Sequence, residues 1–398
     1  MERDTWPAAG SRTLHWRPVE SAMTVSRRRL AAATGPYEVA VLPNIAPSPV
    51  ALPSRLMAET EEATRAMASF DAVAGRTLTP YNSLLLRSES AASSRIENLT
   101  ASARAIAEAE IGENAKVNPT MILGNVRAME AALAASDTLA DDALGAILAM
   151  HRALMQGSWP AIAGRLRLQQ VWIGGSALGP VGAEFVPPQP EDVPPAMADL
   201  ARFLARDDLP PLVHAALAHA QFETIHPFAD GNGRTGRALL HAHLRHSGVT
   251  THVTVPISAG LLVERDRYFA ALTAYRQGDP EPIVACVARA ALAAVESATV
   301  LLDELAAVRT NWASTIRARS DSAIWRTLDV LVRRPVVTAD VLAADLGAST
   351  VTARVHLRDL VAAGVVREST GRSRNRVWRA PDILEVLDAY AQRVGRRC

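Results

Sequence analysis

Ile225-His226-Pro227-Phe228-Ala229-Asp230-Gly231-Asn232-Gly233-Arg234-Thr235-Gly236-Arg237 is the stretch on which the reading of this 398-residue chain turns. Gly231, Gly233 and Gly236 stand in G-x-G-x-x-G spacing, which marks a dinucleotide-binding turn when a strand precedes it and a βαβ unit surrounds it. Here the preceding residues, Leu212 to His219, have helical character, and no βαβ alternation surrounds the motif. A different chemistry fits. Glycines on either side of Asn232 let successive backbone N–H groups turn toward one point, and a helix beginning near Arg234 aims its positive end at the same place, making an anion cradle. Arg234 and Arg237 share a face of its first turn and add two guanidinium forks suited to phosphate oxygens. Asp230 offers a hard oxygen ligand for a magnesium ion bridging phosphates, and His226 offers a base that titrates near neutral pH. Phe228 should point the other way and pin the loop to the core. A capped, polar interhelical loop explains each residue singly; base, metal carboxylate and phosphate nest within twelve residues read together as a phosphotransfer site.

Composition narrows the alternatives. Apolar residues make up 49% and charged residues 21%, the balance of a globular chain long enough for two or three domains. The net charge of +1 gives no overall field toward nucleic acid or membrane. Lys116 is the only lysine and follows Ala115, which argues against a Walker A loop, a kinase-type lysine and a Schiff-base lysine. Cys286 and Cys398 are too few for a disulfide framework or a cysteine zinc site, and a cytoplasmic location is expected. No uninterrupted run of 18 uncharged apolar residues occurs and the first residues lead into no signal-like apolar stretch, so neither export nor a membrane partner is expected.

Along the chain, residues 1–35 are polar, arginine-rich and aperiodic, and read as an arm with a partly mobile start. Residues 36–115 form a helical region, and 116–310 a helical core interrupted by two short strands around a Gly174-Gly175 turn, read as the only hairpin before the C-terminal segment. In 321–398 two short helices and a third at 349–363 precede strand, turn and strand, the order of a helix-turn-helix with a wing. The fold class expected is therefore mostly α, with a β-hairpin flap in the helical core and a small winged-helix domain after it. His241, His243 and His246 lack metal-ligand spacing, and with His214 and His219 they read as packing residues.

The stretch from His226 to Arg237 resembles the HPFx[D/E]GNGRxxR motif of Fic proteins at every specified position. Val171-Trp172-Ile173-Gly174-Gly175 and Phe185-Val186-Pro187-Pro188 resemble the flap of that family, and residues 35–310 look like its Fic_N plus Fic architecture. The resemblance implies transfer of AMP from ATP onto a Ser, Thr or Tyr hydroxyl of a protein, which includes the chain itself. It implies that His226 takes the hydroxyl proton, that Asp230 holds Mg2+, and that Gly231, Asn232 and Gly233 hold the α- and β-phosphates. Arg234 would contact the β-phosphate and Arg237 the γ-phosphate, while the flap aligns the target by strand addition. Tyr268 would line the nucleoside pocket.

Ser93 and Glu97, four apart on a helix, share a face, and Asn98 reads as a helix stop. Ser93-x-x-x-Glu97-Asn98 also resembles the [S/T]xxxE[G/N] motif of Fic proteins with an inhibitory N-terminal helix. The implication is that Glu97 occupies Arg237 and keeps the ATP γ-phosphate from its productive place; in some relatives the same glutamate serves removal of AMP. The 321–398 segment carries thirteen Arg against nine Asp and Glu, with Thr350, Arg354 and Arg358 on its third helix and Arg372 and Arg374 in the wing as candidate DNA contacts. DNA and a second copy of the chain are thus further candidate partners. The competing reading is a DNA-binding winged-helix regulator with a Fic-like body that only senses nucleotide.

Overall fold

The computed structural model describes residues 6–18, 26–77, 81–113, 116–369, 371 and 375–395. It is mostly helical with small sheets. The Cα trace gathers into two compact units, each assembled from separate stretches of chain: one from Met1–Glu61, Glu130–Ser247 and Asp266–Val287, the other from Glu62–Met129, Gly248–Arg265 and Ala288–Cys398.

The first unit is built around the helix Pro211–Ile225, whose residues from Leu212 onward are all buried. A helix apolar on every side belongs in the middle of a core. A proline at its first turn starts it without loss of a hydrogen bond. Pro227 ends it: the residue before a proline is disfavoured in the α region, and His226 leaves the helix in the left-handed conformation, φ 51° and ψ 60°. The helix Asn232–His246 runs back against it. Gly236 permits that approach, since a Cβ there would lie 2.7 Å from Glu223 Oε1 and 2.8 Å from Phe222 Cδ1. The third glycine of the motif therefore serves helix–helix packing, and a helix rather than a strand precedes the turn, as the sequence pattern indicated.

Two corrections fall in this unit. The arm contains a strand, Gly10–Trp16, paired antiparallel with Gly35–Val41, and a short helix, Arg27–Ala32, capped by Ser26. The strand is hard to see because most of Gly10–Trp16 is exposed; the alternation of buried and exposed residues lies on its partner, through Tyr37 and Val39. The flap, by contrast, is less regular than expected. Its two segments meet in a single bridge, Ile173 to Phe185, beside turns at Gly174, Gly175 and Gly182 with φ of 75°, 73° and 77°. Support comes from the first hairpin: Ala40 N–H donates to Val186 O at 2.9 Å, Trp16 Nε1 donates to Leu178 O at 3.0 Å, and Trp16 meets Trp172 edge-on at 5.5 Å.

In the second unit, the helix Asn82–Ile96 places Ser93 in the interior. Glu97 is its C-cap, and Asn98 stops it in the left-handed conformation at φ 62°, with Leu99 N–H closing onto Ser94 O at 3.0 Å. Asn98 Oδ1 accepts from Arg265 at 2.9 Å. Glu89, fully buried, accepts from Ser258 N–H at 2.8 Å and from the Ser258 hydroxyl. Asp71 holds the turn Thr251–Val253 through three backbone N–H groups and the Thr251 hydroxyl.

The C-terminal part of this unit runs helix Ile324–Arg333, strand Val336–Thr338, helices Ala339–Leu346 and Thr350–Ala362, and strands Arg367–Glu368 and Val377–Arg379, the last lying between the other two. Thr338 and Ser349 cap the second and third helices. A further helix, Pro381–Gly395, escaped the sequence reading. The helix Glu281–Thr315 is long and apolar enough to cross a membrane by length and composition alone, although Arg289 and Glu296 interrupt it. Half of its most apolar stretch is buried inside the protein.

Candidate active site

The loop between the helices Pro211–Ile225 and Asn232–His246 carries the motif. Gly231, at φ 79°, turns the chain into the second helix, and a Cβ there would lie 2.9 Å from Leu154 Cδ2. Glycine is required on both counts. The first backbone bond of that helix is Thr235 N–H to Gly231 O at 3.0 Å, so the N–H groups of Asn232, Gly233 and Arg234 precede any intrahelical acceptor. They form the expected cradle with one change: among its glycines only Gly231 has positive φ, while Gly233 is already helical.

Asn232 also has a part inside the loop. Its side chain is buried and pairs with Phe228 twice, Oδ1 accepting from the backbone N–H and Nδ2 donating to the carbonyl, both at 2.8 Å. The carboxamide staples the loop, leaving the Asn232 backbone N–H for an anion. Phe228 is fully buried and stacks on His151, as its inward direction requires.

Arg234 and Arg237 are both 2% exposed. Asp230, with its side chain 51% exposed, lies 3.6 Å from the Arg234 guanidinium. His226 directs Nδ1 toward Glu223 O at 3.3 Å, and the Glu223 carboxylate lies 3.9 Å from the same nitrogen. A proton held on Nδ1 by that carbonyl puts the lone pair on Nε2, the tautomer a base needs.

Several neighbours carry no signal in the motif. Arg167 is buried and donates to three carbonyls, His226 at 2.9 Å, Gln169 at 3.1 Å and Pro188 at 2.5 Å, tying the motif loop to the flap. Burial lowers its pKa to about 10, still far above neutrality. Arg276 lies 3.8 Å over the Phe185 ring, and burial lowers it to about 10 as well. Tyr268 is fully buried, with its hydroxyl 2.8 Å from His219 Nε2. Burial raises that phenol, with Glu223 adding to the rise and Arg237 opposing it.

Among the described residues no group of three His, Cys, Asp or Glu side chains forms a metal cage. Magnesium does not need one, since it binds through one or two carboxylates together with substrate phosphates and water. A half-exposed Asp230 beside a phosphate cradle fits that mode.

The family comparison bears on this constellation. Residues 143–244 match the Fic/DOC family. The stretch spans the His151 helix, the flap, the buried central helix and the cradle. Protein adenylyltransferase fic-1 of Caenorhabditis briggsae is 34% identical over 153 residues, 38% of this chain and 27% of that protein. Its counterpart in Caenorhabditis elegans is 35% identical over the same length, with the same coverage. The chain thus spans about a quarter of the length of these curated relatives. In fold it resembles a Fic family protein from Desulfovibrio desulfuricans G20, at 24% identity and a TM-score of 0.54, over 83% of this chain and 97% of that one.

Of the other residues singled out in the sequence, Thr350 bonds Asp340 at 3.2 Å and Arg354 and Arg358 are exposed, Arg358 being paired with Asp359 at 3.1 Å. Arg372 and Arg374 lie outside the described residues.

Proposed function

We propose that this chain is a protein adenylyltransferase, moving AMP from ATP to a Ser, Thr or Tyr hydroxyl of a protein. The observation that carries the proposal is the convergence of His226, the Asn232–Arg234 N–H cradle and the two buried arginines in one stretch that matches the Fic/DOC family. His226 Nε2 takes the hydroxyl proton as the oxygen forms its bond to the α-phosphorus. The bond from that phosphorus to the bridging oxygen breaks, and pyrophosphate leaves in line. The cradle and Arg234 stabilise charge on the phosphates, and Arg237 receives the terminal one. Asp230 would hold Mg2+, which when bound neutralises phosphate charge. The flap edge at Ile173 aligns the target segment by strand addition.

The finer parts of the reading rest on sequence likeness and local structure. Glu97 acts as a brake on transfer, supported by the Ser93-x-x-x-Glu97-Asn98 motif and by the position of Glu97 as the cap of its helix. The 321–398 segment is a winged helix-turn-helix, supported by the element order of its described part. Arg358 and Arg376 pair at the surface with Asp359 and Glu368. Cysteine usage favours work in the cytoplasm.

The test is incubation of the protein with α-labelled ATP and Mg2+, alone and with a lysate of its host. Label that stays covalently on protein, and is released as AMP by phosphodiesterase, supports the proposal; duplex binding without label transfer supports the regulator.

A further inference from the structure

The turn before Asn232 is held from the core side by a residue outside the motif. His151, on the helix Ala143–Met155, is fully buried. Its Nδ1 accepts the Gly164 N–H at 3.0 Å. A neutral imidazole has one accepting and one donating nitrogen, so the proton sits on Nε2, which donates to the Asp230 carbonyl at 3.0 Å. The same ring stacks on Phe228, centroids 3.6 Å apart and planes within 5°. Its Cδ2 would lie 3.7 Å from a Cβ placed on Gly231. One imidazole therefore touches two of the four residues that precede Asn232, Phe228 and Asp230.

The Asp230 carbonyl and the Gly231 N–H belong to one planar peptide unit, so fixing the direction of the first fixes that of the second. The Gly231 N–H in turn donates to Asp230 Oδ1 at 2.6 Å. A continuous chain thus runs from the Gly164 N–H through the imidazole and the peptide plane to the carboxylate. We propose that His151 is a positioning residue that aims the Asp230 carboxylate and orients the entrance of the phosphate cradle. The catalytic consequence rests on the adenylyl-transfer reading; the positioning itself does not.

Two substitutions divide the ring's functions. Glutamine puts an amide nitrogen at the level of Nε2, keeping the donor to Asp230 while losing the acceptor for Gly164. Asparagine puts its carboxamide at the level of Nδ1, keeping Gly164 and losing Asp230. Both lose the stack on Phe228, so a merely structural histidine would make them equal.

The first readout is amide hydrogen exchange in the nucleotide-free protein, over peptides covering Gly231–Arg234. His151→Asn should speed exchange there, and His151→Gln should stay close to wild type. The second is the Mg2+ concentration needed for half-maximal binding of a fluorescent ATP analogue. It should rise about 10–100-fold in the asparagine variant, the range for loss of an outer partner of a metal ligand, and be largely restored by glutamine. Equal behaviour of the two variants in both readouts, or wild-type exchange in His151→Asn, would overturn the proposal. If the loop loosens with asparagine and tightens with glutamine while the wild type transfers no AMP, the positioning role stands and the adenylyl-transfer reading is what fails.

Discussion

The carboxamide of Asn232 closes on the backbone of Phe228 from both sides, accepting its N–H and donating to its carbonyl at 2.8 Å each. Both backbone groups are buried, and no water replaces a lost partner without room for it. Asn232→Ala should therefore cost about 2–4 kcal/mol of stability, for two buried groups left unsatisfied. Asn232→Asp should keep the bond from the Phe228 N–H but set a carboxylate against the Phe228 carbonyl. Denaturant melts of both variants check this; wild-type stability in Asn232→Ala would show that the loop is held by other contacts.

Asp230 is the exposed carboxylate of the loop, with Arg234 at 3.6 Å. Asp230→Ala should remove the Mg2+ response of transfer together with most of the activity, while stability falls by about 1 kcal/mol, for the lost bond from the Gly231 N–H. Initial rates over a Mg2+ titration decide it. Magnesium stimulation in the variant would place the ligand elsewhere.

Burial holds His219 and His243 down at about 3, with Arg237 adding to the effect at His219 and His214 and His246 at His243. The unfolded chain takes up protons at these sites near pH 6.5 and the native protein refuses them, so stability is fully present above that pH and is lost as the pH falls toward 3. Both ring nitrogens of His243 are buried without a hydrogen-bond partner among the described residues. His243→Leu should therefore raise stability by about 1 kcal/mol or more and flatten the acid limb by one proton. Urea melts from pH 8 to pH 4 read both effects, and an unchanged acid slope would contradict the assignment.

The residues of the loop from His226 to Arg237 stand out in sequence because histidine, acid, glycines and paired arginines have no common structural reason to occur together. The burial of Phe228, the helix before the turn and the stop at Asn98 follow from local rules of pattern and backbone. His151 and Arg167 are invisible for a physical reason: their partners are the main-chain carbonyls of Asp230, His226, Gln169 and Pro188, and a sequence does not mark which carbonyl a side chain will meet. The Gly10–Trp16 strand is missed because most of its residues face solvent, and the flap looks more strand-like than it is because two isolated bridges and three left-handed glycines share its length.

Glu97 caps the helix Asn82–Ile96, which also carries the buried Ser93. If it restrains transfer, Glu97→Gly should increase self-labelling, whereas Glu97→Gly combined with Arg237→Ala should remain low because the receptor for the terminal phosphate is gone. Initial rates of the wild type and both variants test this. A Glu97→Gly rate at or below wild type would return the glutamate to a capping role.

The most direct measurement pairs α-labelled with γ-labelled ATP on wild type and His226→Ala under identical Mg2+. Covalent label should come from the α-phosphate and not from the γ-phosphate, and His226→Ala should bind nucleotide as wild type does while transferring about 10²–10⁴-fold more slowly, the range for loss of a general base. Label arriving from the γ-phosphate, or α-label transfer undiminished in His226→Ala, would contradict adenylyl transfer by this histidine.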